Sequence, residues 1–152
     1  MKKQQLSYYE KRSIMSIIVF LVVYASMFYD AHMYYRLAEP KEGLLRFWGN
    51  QFLELFLCLI VVYLLVFVAF NFINKKITGE TRPKIRDERD NDIELKAIHA
   101  SYYILALGIF SAMLSALRVD TYSPIFLIIM SSFLASAVVA DIIRIYQYRK
   151  SS

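Results

Sequence analysis

Four long apolar runs constrain this chain more than any other feature. They occupy residues 13–29, 47–73, 97–117 and 122–143. Each approaches or exceeds the roughly 20 residues that cross a hydrocarbon core at about 1.5 Å per residue. Lipid offers no hydrogen-bond partner to a backbone N–H or C=O, so runs of this length read as helices rather than strands. Glu54 alone interrupts the second run, and Asp141 breaks the fourth near its end.

Composition agrees with that reading. Of the 152 residues, 58% are hydrophobic and 20% charged, more apolar and less charged than an ordinary soluble domain. A nucleic-acid-binding domain, a disulfide scaffold and a soluble hydrolase are excluded on these grounds. The single cysteine, Cys58, lies inside an apolar run and reads as a small buried hydrophobe. The basic N-terminal segment before an apolar run resembles a signal peptide. The run is bulky and aromatic, however, and ends without a small-x-small cleavage site, so it reads as a retained first span. No lipidation motif is visible.

The net charge of +5 would suggest nucleic acid in a soluble protein, but here the basic residues flank the spans and act as topology determinants. Lys2, Lys3, Lys11 and Arg12 precede the first span. Lys75, Lys76, Arg82, Lys84, Arg86, Arg89 and Lys96 lie between the second and third, and Arg144, Arg149 and Lys150 end the chain. Fourteen of the 18 basic residues therefore fall on one side, against Arg36, Lys41, Arg46 and Arg118 on the other. The positive-inside rule predicts cytoplasmic N and C termini, with the tight turn at 118–121 and the 30–46 segment facing outward. Tyr8, Tyr9, Trp48, Tyr122, Tyr146 and Tyr148 cluster near the span ends, where amphipathic rings prefer the headgroup level.

The expected fold is thus an all-α membrane protein of one domain, residues 1–152. Its four transmembrane helices, at about 13–35, 47–74, 97–117 and 122–146, form an antiparallel up-down-up-down bundle with a cytoplasmic loop at 75–96. Within that loop, residues 78–83 read as a turn, and Asp87 reads as an N-cap from which a charged helix runs on into the third span. Arg86–Asp90, Asp92–Lys96 and Arg89–Asp92 have the spacing of helical ion pairs. Such a segment serves either as a solvated connector or as a docking surface, the latter formed by Arg86, Asp87, Glu88, Arg89, Asp92 and Lys96. In spans three and four, Ser111/Ser115, Ala112/Ala116, Ser131/Ala135 and Ser132/Ser136 follow small-xxx-small spacing, which favours a close antiparallel hairpin.

Glu54 is the outstanding ionisable residue, because a carboxylate about two turns inside a span is costly and points to function. Asn50, Glu54 and Cys58 share one helix face, with Gln51 beside them. That face is expected to point into the bundle, where Arg118, Arg46 or Arg36 could supply a cation. Asn50, Gln51, Glu54 and Arg118 form the candidate intramembrane polar site. Its open readings are a structural anchor, a proton- or cation-coupled binding site, or a partner contact. Asp141 and Arg144, three apart, are placed to pair locally or to snorkel. Asp30 and His32 lack a third metal ligand, and His99 reads as an interfacial residue. No HExxH, GxSxG, P-loop or GxGxxG occurs, so no enzyme activity, cofactor or metal is expected.

The segment KIRDERDNDIELKA, at 84–97, resembles the DER-x-x-x-I-x-x-KA signature of a family of small bacterial and archaeal membrane proteins of unknown function. Asp87, Glu88, Arg89, Ile93, Lys96 and Ala97 are the matching positions. Members place a hydrophobic hairpin on either side of this segment and end in tyrosine and basic residues, as Tyr146, Tyr148, Arg149 and Lys150 do here. The outward 30–46 segment departs from that pattern. The resemblance implies a four-span protein of the prokaryotic cytoplasmic membrane. It also implies a role as membrane partner of a helix-turn-helix regulator, because some members lie beside genes for such regulators.

Three functions remain open from sequence. The leading one is a non-catalytic inner-membrane protein, regulatory or accessory, that binds a protein partner through its charged cytoplasmic helix and makes no direct contact with nucleic acid. The alternative is a small homodimeric transporter, proton- or cation-coupled through Glu54. Four spans with one membrane carboxylate superficially resemble the small multidrug resistance transporters, but those carry their glutamate in span one. The third is a toxin immunity protein that meets its toxin through the outward segment.

Overall fold

The computed structural model describes residues 7–37, 44–79, 87–118 and 122–150. They form four helices: α1 (Tyr8–Leu37), α2 (Leu44–Thr78), α3 (Glu88–Ala116) and α4 (Ser123–Lys150). All four are long and apolar enough to cross a membrane. At about 1.5 Å per residue they measure about 42–52 Å, so each outruns the roughly 30 Å hydrocarbon core and has turns to spare at headgroup level.

Local chemistry sets the helix ends. α1 begins five residues before the expected span because Ser7 and Glu10 form a capping box. The Ser7 backbone N–H donates to Glu10 Oε2 (2.8 Å), and the Glu10 N–H donates to Ser7 Oγ (3.3 Å). The helix also continues to Leu37, so much of the expected outward segment is helical, and residues 38–43 lie outside the described residues. α2 runs to Thr78 with Lys75 and Lys76 in its last turn, where cations complement the exposed carbonyls. Gly79 follows at φ 70°, a left-handed conformation that glycine adopts without strain. Asp87 caps α3 as expected, its side chain accepting from the Glu88 N–H (2.8 Å). α3 then runs unbroken through the charged segment into the apolar one. The loop expected at 75–96 therefore shrinks to the stretch around residues 79–87, of which 80–86 lie outside the described residues.

α4 is the centre of the arrangement. It packs along α3 and α1, α1 packs on α2, and α2 meets α4 over a short stretch; among the described residues α3 packs on α4 alone. Cross-helix pairs show the directions. Tyr148 reaches Asp90, Tyr24 reaches Ser131, and Tyr8 reaches Asn71. Neighbours α3/α4, α1/α4 and α1/α2 are thus antiparallel, while Trp48 stacked on Phe126 shows α2 running parallel to α4.

Between lipid-soluble helices the hydrophobic effect is weak, so contact depends on close approach and polar bonds. The α3/α4 seam shows both. Ile93, Ala97 and Ala112 of α3 are buried, as are Ser132, Ser136 and Ala140 of α4. A β-carbon on Gly108 would overlap the Ser132 side chain, so the absence of one lets the two helices approach closely there. The apolar core lies at the other end, around Val19, Val23, Trp48, Leu55 and Met130. Trp48 is 1% exposed, and its Nε1 donates to Ser123 Oγ (3.3 Å) at the start of α4. This corrects its expected headgroup role: the indole wedges α2 against α4 rather than anchoring to lipid. Tyr8 is likewise buried, its hydroxyl donating to Asn71 Oδ1 (2.6 Å).

Candidate functional site

The polar groups gather at the basic end of the molecule, where α1 and α3 begin and α4 ends. Arg144 is the hub. Its Nη2 and Nε donate to the two carboxylate oxygens of Glu94 (2.7 and 3.0 Å), and its Nη1 donates to Asp141 Oδ1 (2.8 Å). The planar guanidinium suits this three-bond fork, which a lysine could not reproduce. Asp141 is 4% exposed, and its charge is tolerable there because Arg144 is bonded to it. One turn on, the Tyr148 hydroxyl donates to Asp90 Oδ1 (3.0 Å) while its ring stacks on Tyr9 (centroids 5.0 Å, interplanar 7°). Arg149 Nε donates to Glu10 Oε1 (3.1 Å), the oxygen not used by the capping box. These bonds tie α1, α3 and α4 together at one end.

Among the described residues α1 and α3 both pack on α4 but not on each other, and a cavity of about 300 Å³ lies between them. Arg12, Ser13 and Ser16 line it from α1, Asp90, Glu94 and Ser101 from α3, and Asp141, Arg144 and Tyr148 from α4. Arg12 Nη2 donates to the Tyr63 hydroxyl of α2 (3.5 Å), and its guanidinium lies 5.3 Å from the Phe67 ring centroid. Among the described residues, no group of three His, Cys, Asp or Glu side chains is placed to hold a metal ion.

The candidate intramembrane site of Asn50, Gln51, Glu54 and Arg118 is not assembled. Asn50, Glu54 and Arg118 are exposed, and Cys58 is half-buried. Trp48 and Leu55, seven residues apart, are the buried apolar side chains of α2, with Phe52, Cys58, Leu59 and Val62 packed beside them, and Glu54 sits about 100° around the helix from Leu55. Of the face expected to point into the bundle, Asn50 and Glu54 are exposed while Cys58 packs against the apolar core. Arg118 follows α3, which makes no helix contact with α2. Of the four candidate site residues Gln51 alone turns toward the core, and its Oε1 is buried without a hydrogen bond.

The charged N-terminal segment of α3 divides into two faces. Asp90, Ile93, Glu94 and Ala97 face α4. Glu88, Arg89, Asp92 and Lys96 are exposed together with the cap Asp87, and Arg86 lies outside the described residues, as does any Arg86–Asp90 pair. Asp30 and His32 fall within the last turns of α1, and His99 is exposed.

Sequence reasoning missed Glu10, Ser13, Ser16 and Glu94 as members of a cluster, and read Arg12 and Arg149 only as topology signals. The S-x-x-E capping pattern at Ser7–Glu10 was a usable sign. Ser13 and Ser16, three apart at the mouth of a span, were another. The partners of Glu94 and Glu10 were not readable, since Arg144 and Arg149 lie 50 and 139 residues away.

No protein-family model matches this chain, and neither does a curated protein or a solved structure.

Proposed function

We propose that this chain is a non-catalytic integral protein of the prokaryotic cytoplasmic membrane, with both termini and the basic end in the cytoplasm. There it binds a soluble protein partner through the exposed face of the α3 N-terminal segment, as a regulatory or accessory subunit. One observation carries the reading. The first turns of α3 are held on one side by Asp90–Tyr148, Glu94–Arg144 and the buried Ile93 and Ala97, so Glu88, Arg89, Asp92 and Lys96 are displayed on a rigid support. A solvated connector has no need of such fixation, whereas a docking face gains from it, because less ordering is left to the moment of binding. The excess of basic residues at this end supports its cytoplasmic placement.

The test is affinity purification of the full chain in mild detergent, with the mass of the intact complex determined. A stoichiometric soluble protein that is lost in the double variant Glu88→Lys/Arg89→Glu supports the reading. Retention in that variant removes this surface from consideration.

The exposure of Glu54 favours a second reading, a homodimeric proton- or cation-coupled transporter. A carboxylate on the outward face of a span is costly in lipid and is relieved by a second copy. A bare dimer on purification, with transport lost in Glu54→Gln, would support it.

A further inference from the structure

Ser13 and Ser16 are 3% and 4% exposed, and both line the cavity between α1 and α3. Ser101, Ser111, Ser132 and Ser136 of α3 and α4 donate to carbonyls of their own helices. A pair of hydroxyls lining a polar cavity suits a polar group that enters it.

The charges lining the cavity narrow the choice. Arg144 is already shared between Glu94 and Asp141. That leaves Arg12 on one wall, held by a hydroxyl and a ring, and Asp90 on the other, held by a hydroxyl; among the described residues neither is in an ion pair. A cation and an anion thus stand on two helices that line the space from opposite sides. Their complement is a zwitterion, an oxyanion toward Arg12, Ser13 and Ser16 and an ammonium toward Asp90.

A second cavity shows what could be attached to such a group. It holds about 200 Å³, is lined by Tyr24, Leu55, Leu59, Met130 and Leu134, and shares Phe20, Ser136 and Ala137 with the polar one. The pair therefore forms a groove along the α1/α4 seam, polar at the basic end and apolar toward mid-span. α2 and α3 do not pack on each other, so nothing closes the groove between them among the described helices.

We propose that this groove binds a zwitterionic phospholipid of the phosphatidylethanolamine type, its phosphate on Arg12, Ser13 and Ser16, its ammonium on Asp90 and an acyl chain along the apolar extension. The site faces inward and is independent of the docking surface on the opposite face of α3. Helix ends that outrun the hydrocarbon core put the polar part at headgroup depth.

The experiment is native mass spectrometry of the delipidated full chain in detergent, titrated with short-chain phosphatidylethanolamine, phosphatidylglycerol and soluble phosphoethanolamine, with thermal unfolding as a control of fold. Phosphatidylethanolamine is retained over phosphatidylglycerol. Arg12→Gln weakens both lipids about tenfold, the worth of one charge-assisted hydrogen bond, whereas Asp90→Asn weakens only the zwitterion. Ser16→Leu, which fills the polar cavity, gives the same loss of lipid should Arg12→Gln fail to fold. Soluble phosphoethanolamine binds at least about a hundredfold more weakly than the lipid, because it lacks the apolar burial. Equal potency of the soluble compound overturns the lipid as the source. Equal retention of both lipids, unmoved by these variants, overturns the site.

Discussion

At the scale of single residues, Arg144 and Gly108 bear the most weight. Arg144 bonds Glu94 and Asp141 at once, and Asp141 is 4% exposed. Arg144→Gln removes the cation from Glu94 and from the buried Asp141 and should cost on the order of 2 kcal/mol, since a buried charge stripped of its partner is dearer than a lost hydrogen bond. Arg144→Lys should recover only part of it, because an ammonium lacks the fork; chemical denaturation in detergent reads both. Gly108→Val should destabilise the α3/α4 seam by about 1–3 kcal/mol through overpacking against Ser132. Gly108→Val/Ser132→Gly should regain part of that. Legibility at this scale followed sequence distance. The Asp141–Arg144 pair, one turn apart, was readable, and so was the Asp87 cap. Glu94 was not, since its partner lies on another helix. Glu54 was conspicuous in the sequence, but charge does not orient a helix when a tryptophan seven residues from a leucine competes for the inner face.

At the scale of elements, the termini of α1 and α3 show how polar residues set helix length beyond the apolar run. Ser7→Ala removes one side of the capping box, and α1 should lose about 1 kcal/mol of end stability. Hydrogen exchange should then rise over its first turn, with the α3/α4 seam unchanged. α3 is continuous from Glu88 to Ala116, and its two faces at the charged end predict opposite behaviours. Glu88→Lys/Arg89→Glu should leave the melting transition within about 0.5 kcal/mol of the parent, as exposed substitutions do, while altering partner capture. Glu94→Gln on the other face should destabilise the helix pair. That the segment was helical could be read from the Asp87 cap and charge spacing. Which residues faced inward could not, because the charges on the two faces are alike and only α4 distinguishes them.

At the scale of the whole molecule, four apolar runs sufficed to give an all-helical chain with four helices able to span a membrane, and the antiparallel α3/α4 hairpin followed from a tight connection and small residues. The order of packing was not legible. Spans that face lipid on one side and protein on the other are apolar on both, so the pattern of hydrophobic residues does not mark the inner face. The structure makes α4 the axis and leaves α3 on it alone, which opens the polar cavity at the basic end. The proposed role requires that end to be cytoplasmic. The most direct measurement is labelling by a membrane-impermeant maleimide of single cysteines placed at opposite ends of α3, Glu88→Cys and Arg118→Cys, in a Cys58→Ser chain, both positions being exposed. With the basic end cytoplasmic, Arg118→Cys labels in intact cells while Glu88→Cys labels only in inside-out vesicles. Labelling of Glu88→Cys from outside intact cells would contradict it.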